Sequence, residues 1–456
     1  MGSELAVCVD FGSTFTKALL VDVTLGPTLG TVVAGAEHQT TIDTDVLDGY
    51  DACLAELVAA DPRAADAEVL ACSSAGGGLR IAVVGNEELV TAEAGRRVAL
   101  SSGGKVVTVR AVAQGHDLDL SEDAPDVVLL TGGTDGGNHE PVLRAARGLK
   151  ESGWRGPIVV AGNVDARDEV SAILDGIPHV LADNVVPQIG VLAPTGARSA
   201  IREVFLSHVI GGKHLSERAC QGTNTFTAMV RGATPDVVLT GVELLATAVG
   251  EVVVVDVGGA TTDVHSVVEV DPEQGSVEGG LARDVVAPTP VTRTVEGDLG
   301  MRWSAISTID EAGLDQLEDA ARKRRADPGF LPSTDQERDE DEAIARAAVA
   351  LALRRHAGRS KVVVSPEGRV IERTGVDLRE VDLVVGSGGV LRHGREGVAD
   401  RVLGPSVGRD GDWQLPEKAR VVVDADYVLA AAGLLAAEHP AAAYRLVTSL
   451  LDRLTP

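Results

Sequence analysis

The chain has 456 residues, room for about two or three domains, and its 44% hydrophobic content suits a protein with a sizeable core, so small disulfide-stapled and disordered classes are excluded. Sixty-eight acidic residues against 41 basic ones leave a formal charge of −27, which repels phosphate backbones and argues against nucleic-acid partners. Five Phe, three Trp and three Tyr are too few and scattered for base-stacking platforms, so the core is expected to be Val, Leu, Ile and Ala.

Short Val-rich runs bounded by Gly, Asp and Thr alternate with Ala/Leu/Arg-rich helical stretches, the pattern of an α/β protein. The opening reads as a hairpin, with Leu5–Asp10 and Thr16–Val23 as strands around a turn at Gly12–Thr14. A helix near Ala52–Ala60 and a strand at Glu68–Ser73 follow. From Asp126 the spacing tightens into strand Val127–Thr131, helix Pro141–Ser152, strand Ile158–Gly162, helix Arg167–Leu174 and strand His179–Ala182, which predicts a parallel βαβαβ unit. Helices are expected around Ala197–His208 and Ser216–Arg231.

A second core begins with a strand at Val237–Thr240, a helix at Val242–Val249, and a strand Val252–Val257 that turns through Gly258–Thr262 into Val264–Val270. The charged stretch Leu317–Arg346 reads as a solvated helix and loop. Ala343–Arg355 reads as helix, Val362–Ser365 and Val370–Glu372 as a hairpin, Leu383–Val385 as a strand, and Val428–Leu435 and Ala441–Leu454 as terminal helices. The longest apolar run, Val428–Ala437, is well short of the roughly 20 residues that span a bilayer, and no leader pattern opens the chain; a soluble, cytoplasmic protein with no membrane partner is expected. Cys8, Cys53, Cys72 and Cys220 show no CxxC spacing, and the ten histidines show no HExxH, so neither set predicts a metal site.

Asp10-Phe-Gly-Ser-Thr-Phe-Thr-Lys17 and Asp256-Val-Gly-Gly-Ala-Thr-Thr-Asp263 share one plan: Asp-x-Gly, then small and hydroxyl residues, between two β-like runs. Such turns suit a triphosphate. Glycine lets the backbone N–H groups approach the phosphates, and this is the expected use of Gly12, Gly258 and Gly259. Ser13, Thr14, Thr261 and Thr262 would add hydroxyl donors, and Lys17 would offset charge. A carboxylate gains nothing by touching phosphate, so Asp10 and Asp256 are expected to hold Mg²⁺ through its waters or to orient the attacking water. Both roles require the two hairpins to face one nucleotide. A third segment, Asp382-Leu-Val-Val-Gly-Ser-Gly-Gly-Val390, offers Gly386, Gly388 and Gly389 as bare backbone against a base and ribose.

In this order the three segments resemble the nucleotide motifs of the actin-like ATPase superfamily, and the absence of GxxxxGK[ST] excludes a P-loop. The resemblance implies an α/β fold of two ribonuclease-H-like domains around ATP and Mg²⁺. On that basis residues 1–125 form the first ATPase domain, 126–235 an inserted parallel α/β subdomain, and 236–456 the second ATPase domain with terminal helices. Four further segments, Ser73-Ser-Ala-Gly-Gly-Gly-Leu-Arg80, Leu130-Thr-Gly-Gly-Thr-Asp-Gly-Gly-Asn138, Ala182-Asp-Asn-Val-Val-Pro187 and Thr294-Val-Glu-Gly-Asp-Leu-Gly-Met-Arg302, resemble the glutamate mutase accessory family called MutL or GlmL, distinct from the mismatch-repair protein of similar name. That resemblance implies an ATPase that reactivates an adenosylcobalamin-dependent mutase or aminomutase by releasing damaged cobalamin.

Under this reading Asp256 is the first choice for placing the hydrolytic water and Asp10 the second. Asp135 and Asn138 are divided between ligand contact and turn formation, and Glu296 and Asp298 between a structural and a site role. A small-molecule kinase of the same fold is the alternative, although no carboxylate base for an acceptor hydroxyl can be singled out. A heat-shock-type chaperone would need a further binding domain, for which the 67 residues after Gly389 are too few.

Overall fold

The computed structural model describes residues 4–75, 78–86, 88–112, 118–210, 215–216, 225–270, 289–365, 368–373 and 375–452. Contacts divide them between Val238 and Leu239 into two compact units, the second running to Glu269 and again from Pro290.

The first unit contains β1 (Leu5–Phe11), β2 (Phe15–Asp22), β3 (Val32–Gln39), β4 (Glu68–Ser73) and β5 (Leu79–Gly85). There follow β6 (Gly104–Ala111), β7 (Val127–Leu130), β8 (Ile158–Val160), β9 (His179–Leu181) and β10 (Val230–Ala233). One five-stranded sheet has the order β10-β4-β1-β2-β3, with β2 antiparallel to both neighbours and β1, β4 and β10 parallel. Central β1 is buried along its whole length, which is why it reads Leu-Ala-Val-Cys-Val-Asp-Phe without alternation.

The second unit repeats that plan. Strands β11 (Val252–Val257), β12 (Thr262–Val267), β13 (Val291–Glu296), β16 (Leu383–Ser387) and β17 (Arg420–Val423) form a five-stranded sheet ordered β13-β12-β11-β16-β17. Here too the second strand is antiparallel and the first, fourth and fifth run parallel. Numbered within its own sheet, each has the order 3-2-1-4-5 of a ribonuclease-H-like domain. Between β13 and β16 lie the helices Ala305–Ala312, Glu318–Ala326 and Asp335–Ala357, then the two-stranded hairpin β14 (Ser360–Ser365) and β15 (Gly368–Arg373). Thr334 opens the longest helix with a full capping box: its hydroxyl accepts from the Glu337 N–H, and the Glu337 carboxylate accepts from the Thr334 N–H.

The third sheet is parallel throughout, ordered β6-β5-β7-β8-β9, a flavodoxin-like 2-1-3-4-5. It starts at Leu79, so the expected boundary at 125/126 cuts through it. Its strands alternate: Ile81, Val83, Val127 and Leu129 share the core of the β1 sheet, while Ala82, Val84, Val128 and Leu130 pack against Val142 and Leu149 of the helix Glu140–Glu151. The inserted sheet and the β1 sheet are thus continuous through one core.

Several elements differ from the sequence reading. Val230–Ala233 is the edge strand β10, not the end of a helix, and residues 217–224 of that expected helix lie outside the described set. Val237–Thr240 belongs to a single helix Thr234–Val249 instead of a strand. The boundary expected at 235/236 falls inside that helix. The charged stretch is not wholly solvated: Arg324 is fully buried and its Nε donates to the buried Asp341 carboxylate.

Candidate functional site

The two Asp-x-Gly hairpins have the same hydrogen-bonded form. Asp10 faces Lys17 across β1 and β2, and the Gly12 N–H donates to the Phe15 carbonyl at 3.1 Å. Asp256 faces Asp263 across β11 and β12, and the Gly258 N–H donates to the Thr261 carbonyl at 2.9 Å. Each aspartate is thus the same register step from its turn.

Asp10 is buried. Its Oδ1 accepts from the Thr234 hydroxyl at 2.5 Å and lies 3.5 Å from the Cys72 thiol. Burial first, and then the Asp10 carboxylate, push that thiol well above its ordinary pKa, so it stays protonated as a donor. Thr40 supports the turn from behind: its Oγ1 donates to Gly12 O at 2.9 Å and its N–H to Thr14 O at 2.9 Å. Ser13 is exposed at the tip, with Thr14 and Lys17 half-buried beside it.

In the second unit three successive turn carbonyls are anchored by one segment. Met301 N–H donates to Gly258 O at 2.9 Å and Arg302 N–H to Gly259 O at 2.7 Å, while the Ser304 hydroxyl donates to Ala260 O at 2.6 Å. A trans peptide sets its C=O and N–H on opposite sides, so this anchoring turns the N–H groups of Gly259, Ala260 and Thr261 the other way. Three amides turned from one support are the raw material of an anion-binding turn. Gly300 makes the close approach possible, because a Cβ there would stand 2.8 Å from Gly259 O. The Thr294–Arg302 motif is therefore the mount of the second turn.

Glu296 and Asp298 are structural within this unit. Arg355 Nη1 donates to Glu296 at 2.7 Å and to Asp298 at 2.8 Å, and Arg355 Nη2 donates to Asp298 at 2.9 Å. Those bonds hold the Asp298 carboxyl below its usual range, whereas burial outweighs the same partner and raises Glu296. Asp263 accepts from the buried Arg293 at 2.6 Å and from the Thr261 hydroxyl at 3.3 Å, so the carboxylate opposite Asp256 is paired with a cation. Asp256 itself is half-buried at the strand end.

Two expected ligand contacts do not suit their positions. Thr262 is fully buried and its hydroxyl donates to Leu299 O at 3.1 Å, so it ties β12 to the mount instead of facing a phosphate; Thr16 is its counterpart in the first hairpin, buried with its hydroxyl 3.2 Å from that of Thr40. Gly386 is in β16 beside Val255, and a Cβ there would meet Leu391 and Leu403 at 2.7 and 2.8 Å; it serves packing, not a base. Gly388 is fixed by its own backbone: its φ of +107° and the Val257 carbonyl 2.2 Å from a would-be Cβ admit only glycine. Gly389 has open space where its Cβ would be.

Sequence reasoning missed Thr40, Thr234 and Asp424. Asp424 follows β17, is fully buried, and accepts from the N–H groups of Val428 and Leu429 at 2.8 and 3.1 Å, which fixes the helix Val428–Leu435. Nearby, Arg392 lies 5.2 Å from the ring centre of Tyr427, whose φ of +61° is unusual for a bulky residue. In the first unit, Asp135 Oδ1 accepts from Val164 N–H and Asn184 Nδ2, and Asn138 Oδ1 accepts from Glu140 N–H. These are loop-forming bonds. Residues 76–77 of the Ser73–Arg80 motif lie outside the described residues, as does Cys220. No group of three or more His, Cys, Asp or Glu side chains is placed to hold a metal ion among the described residues, and no helix there is long and apolar enough to cross a membrane.

The profile of the MutL protein family matches residues 6–451. The curated relative Protein MutL of Clostridium tetanomorphum is 36% identical over 473 aligned positions, which cover 97% of this chain and 98% of that one. Among solved structures, nucleotide-free acetone carboxylase is 16% identical with a TM-score of 0.42, covering 95% of this chain and 70% of that chain. Gluconate kinase of Lactobacillus acidophilus is 12% identical with a TM-score of 0.33, covering 99% and 90%. At these scores the likenesses carry no argument, and the fold stands on its strand order.

Proposed function

From its membership of the MutL protein family, we propose that the chain is an ATP-dependent reactivating factor that frees damaged cobalamin from an adenosylcobalamin-dependent mutase or aminomutase, glutamate mutase being the first candidate. The observation that carries the ATPase part is the repeated hairpin: Gly12 to Phe15 and Gly258 to Thr261 close alike, with an aspartate at one register position in two sheets of one strand order.

In this reading the backbone amides of Ser13, Thr14, Gly259, Ala260 and Thr261 cradle the phosphates, since those of Gly12 and Gly258 close the turns, with Ser13, Thr14 and Thr261 adding hydroxyls and Lys17 a positive charge. Gly388 and Gly389 lie against adenosine. Asp256, half-buried at the strand end, accepts a proton from water and aligns it for attack on the terminal phosphate. Asp10, whose carboxylate is held by Thr234, would help to hold the ion through its waters. The donor set fits Mg²⁺: the carboxylates of Asp10 and Asp256, each in a strand just before an Asp-x-Gly turn, are hard oxygen donors that would hold such an ion through its waters. Such an ion supplies charge neutralisation on the phosphates when bound.

Glutamate mutase inactivated by loss of the adenosyl group is incubated with the protein, MgATP and fresh adenosylcobalamin. Recovery of mutase activity together with release of the spent corrinoid supports the proposal. Absence of recovery with ATP hydrolysed normally rejects the reactivating role, and transfer of phosphate to a metabolite without a mutase present selects the kinase alternative.

A further inference from the structure

The carboxyl edge of the parallel sheet joins two sequence motifs that no phosphate chemistry uses. The loop after β7 carries Asp135, whose carboxylate accepts from Asn184 Nδ2 at 2.8 Å and whose N–H donates to Pro187 O at 3.1 Å. Gly136 N–H donates to Asp165 of the loop after β8 at 2.8 Å. The polar side chains of the Thr-Gly-Gly-Thr-Asp-Gly-Gly-Asn and Ala-Asp-Asn-Val-Val-Pro segments therefore tie the loops to one another. They build a rigid platform.

What that platform displays is apolar. Val191 N–H donates to Gln188 O at 3.0 Å and closes a turn in which Gly190 has φ +78°, the third-position geometry of a type II turn. Ile189 occupies the second position, where proline and polar residues are usual, and is 83% exposed. Val191 is exposed after it, as is Leu181 at the end of edge strand β9. A loop without structure could fold such side chains away; this turn is pinned on both sides, by Pro187 O to Asp135 and by Ala193 N–H to Val185 O at 2.9 Å. Leaving an isoleucine in water forgoes roughly 1.5–3 kcal/mol of burial that a partner can recover.

The same loops expose Asp135, Asp165 and Asp183. The one arginine among these contacts, Arg167, donates to Asp183 and to Ala182 O, at 3.1 and 2.7 Å. An apolar tip among carboxylates on a chain of formal charge −27 repels a second copy of itself and suits a basic partner.

We propose that Ile189, with Leu181 and Val191, is the docking knob for the mutase, and that the mutase receives it in an apolar socket rimmed by lysine or arginine. This rests on the reactivating role proposed above and names the surface through which it acts. Association then accelerates at low ionic strength, and a charged residue at the knob breaks the complex without touching the nucleotide turns.

The test uses full-length protein and purified glutamate mutase, with affinity measured by calorimetry at low and high salt. The expected result is wild-type binding that weakens with salt, at least roughly tenfold weaker binding for Ile189→Asp, and weaker binding for Asp183→Lys, each variant retaining wild-type MgATP affinity and thermal stability. Wild-type binding with both variants unchanged overturns the docking surface and leaves the reactivating role standing. No binding by wild type overturns both. Self-association of the wild type that Ile189→Asp abolishes also overturns the proposal, by showing a second copy as the occupant.

Discussion

Thr234 donates its hydroxyl hydrogen to the buried Asp10 carboxylate at 2.5 Å across a sequence separation of 224 positions. That bond ties the start of the helix Thr234–Val249 to the end of β1, next to the first turn. Thr234→Val removes one donor from a buried carboxylate, a change worth about 1–3 kcal/mol. Urea unfolding of the variant should show that loss, while Thr234→Ser should recover most of it; equal stability of all three proteins would contradict the role given to the bond.

Gly300→Ala tests the mount of the second turn. Its new methyl group would press on Gly259 O and the Ala260 backbone, displacing the carbonyls that Met301, Arg302 and Ser304 hold. Nucleotide affinity should fall several-fold, with a stability loss of about 1–3 kcal/mol. Ser304→Ala, which removes only the bond to Ala260 O, should show the same direction with a smaller size.

Much of the fold was legible because β1 and β11 carry unbroken apolar runs that end in Asp-x-Gly, and a hairpin turn leaves little choice after such an ending. The helix Thr234–Val249 was misread because Val237, Val238 and Leu239 look like a strand when their helical burial against neighbours is unseen. Strand β10 was lost for a related reason: Val-Arg-Gly-Ala gains its strand identity only by pairing with β4. In the site, Thr40 and Thr234 carry no local signature, since each acts on an aspartate or turn far away in sequence. Thr262 misled by composition. Its hydroxyl sits in a phosphate-like motif, but strand alternation turns it inward to Leu299.

The buried cluster formed by His356 with Ser266 and Thr294 predicts a pH dependence. Its ring nitrogens lie 2.8 and 3.0 Å from those hydroxyls, and burial holds its pKa down at about 4 against an ordinary 6.5. The unfolded chain therefore binds more protons between these values. This group's contribution is complete above the unfolded value and is lost as pH falls through the window, by up to about 3 kcal/mol. His356→Gln should flatten that limb of the stability profile in denaturant titrations from pH 7 to 4. An unchanged slope would remove His356 as its source.

Asp256→Asn keeps the size of a half-buried side chain at the strand end while removing its capacity to accept a proton. Thermal unfolding should move little, and ATP hydrolysis should fall by roughly two to four orders of magnitude, the range for a lost general base. Hydrolysis at the wild-type rate would transfer the water-placing role elsewhere, with Asp10→Asn the next variant to assay.

Titration calorimetry with MgATP bears most directly on the paired turns. One nucleotide should bind per chain, and Lys17→Ala in the first unit and Thr261→Val in the second should each weaken that single event. Two independent events, each lost with only one of the variants, or no heat from the wild-type protein, would contradict a shared nucleotide.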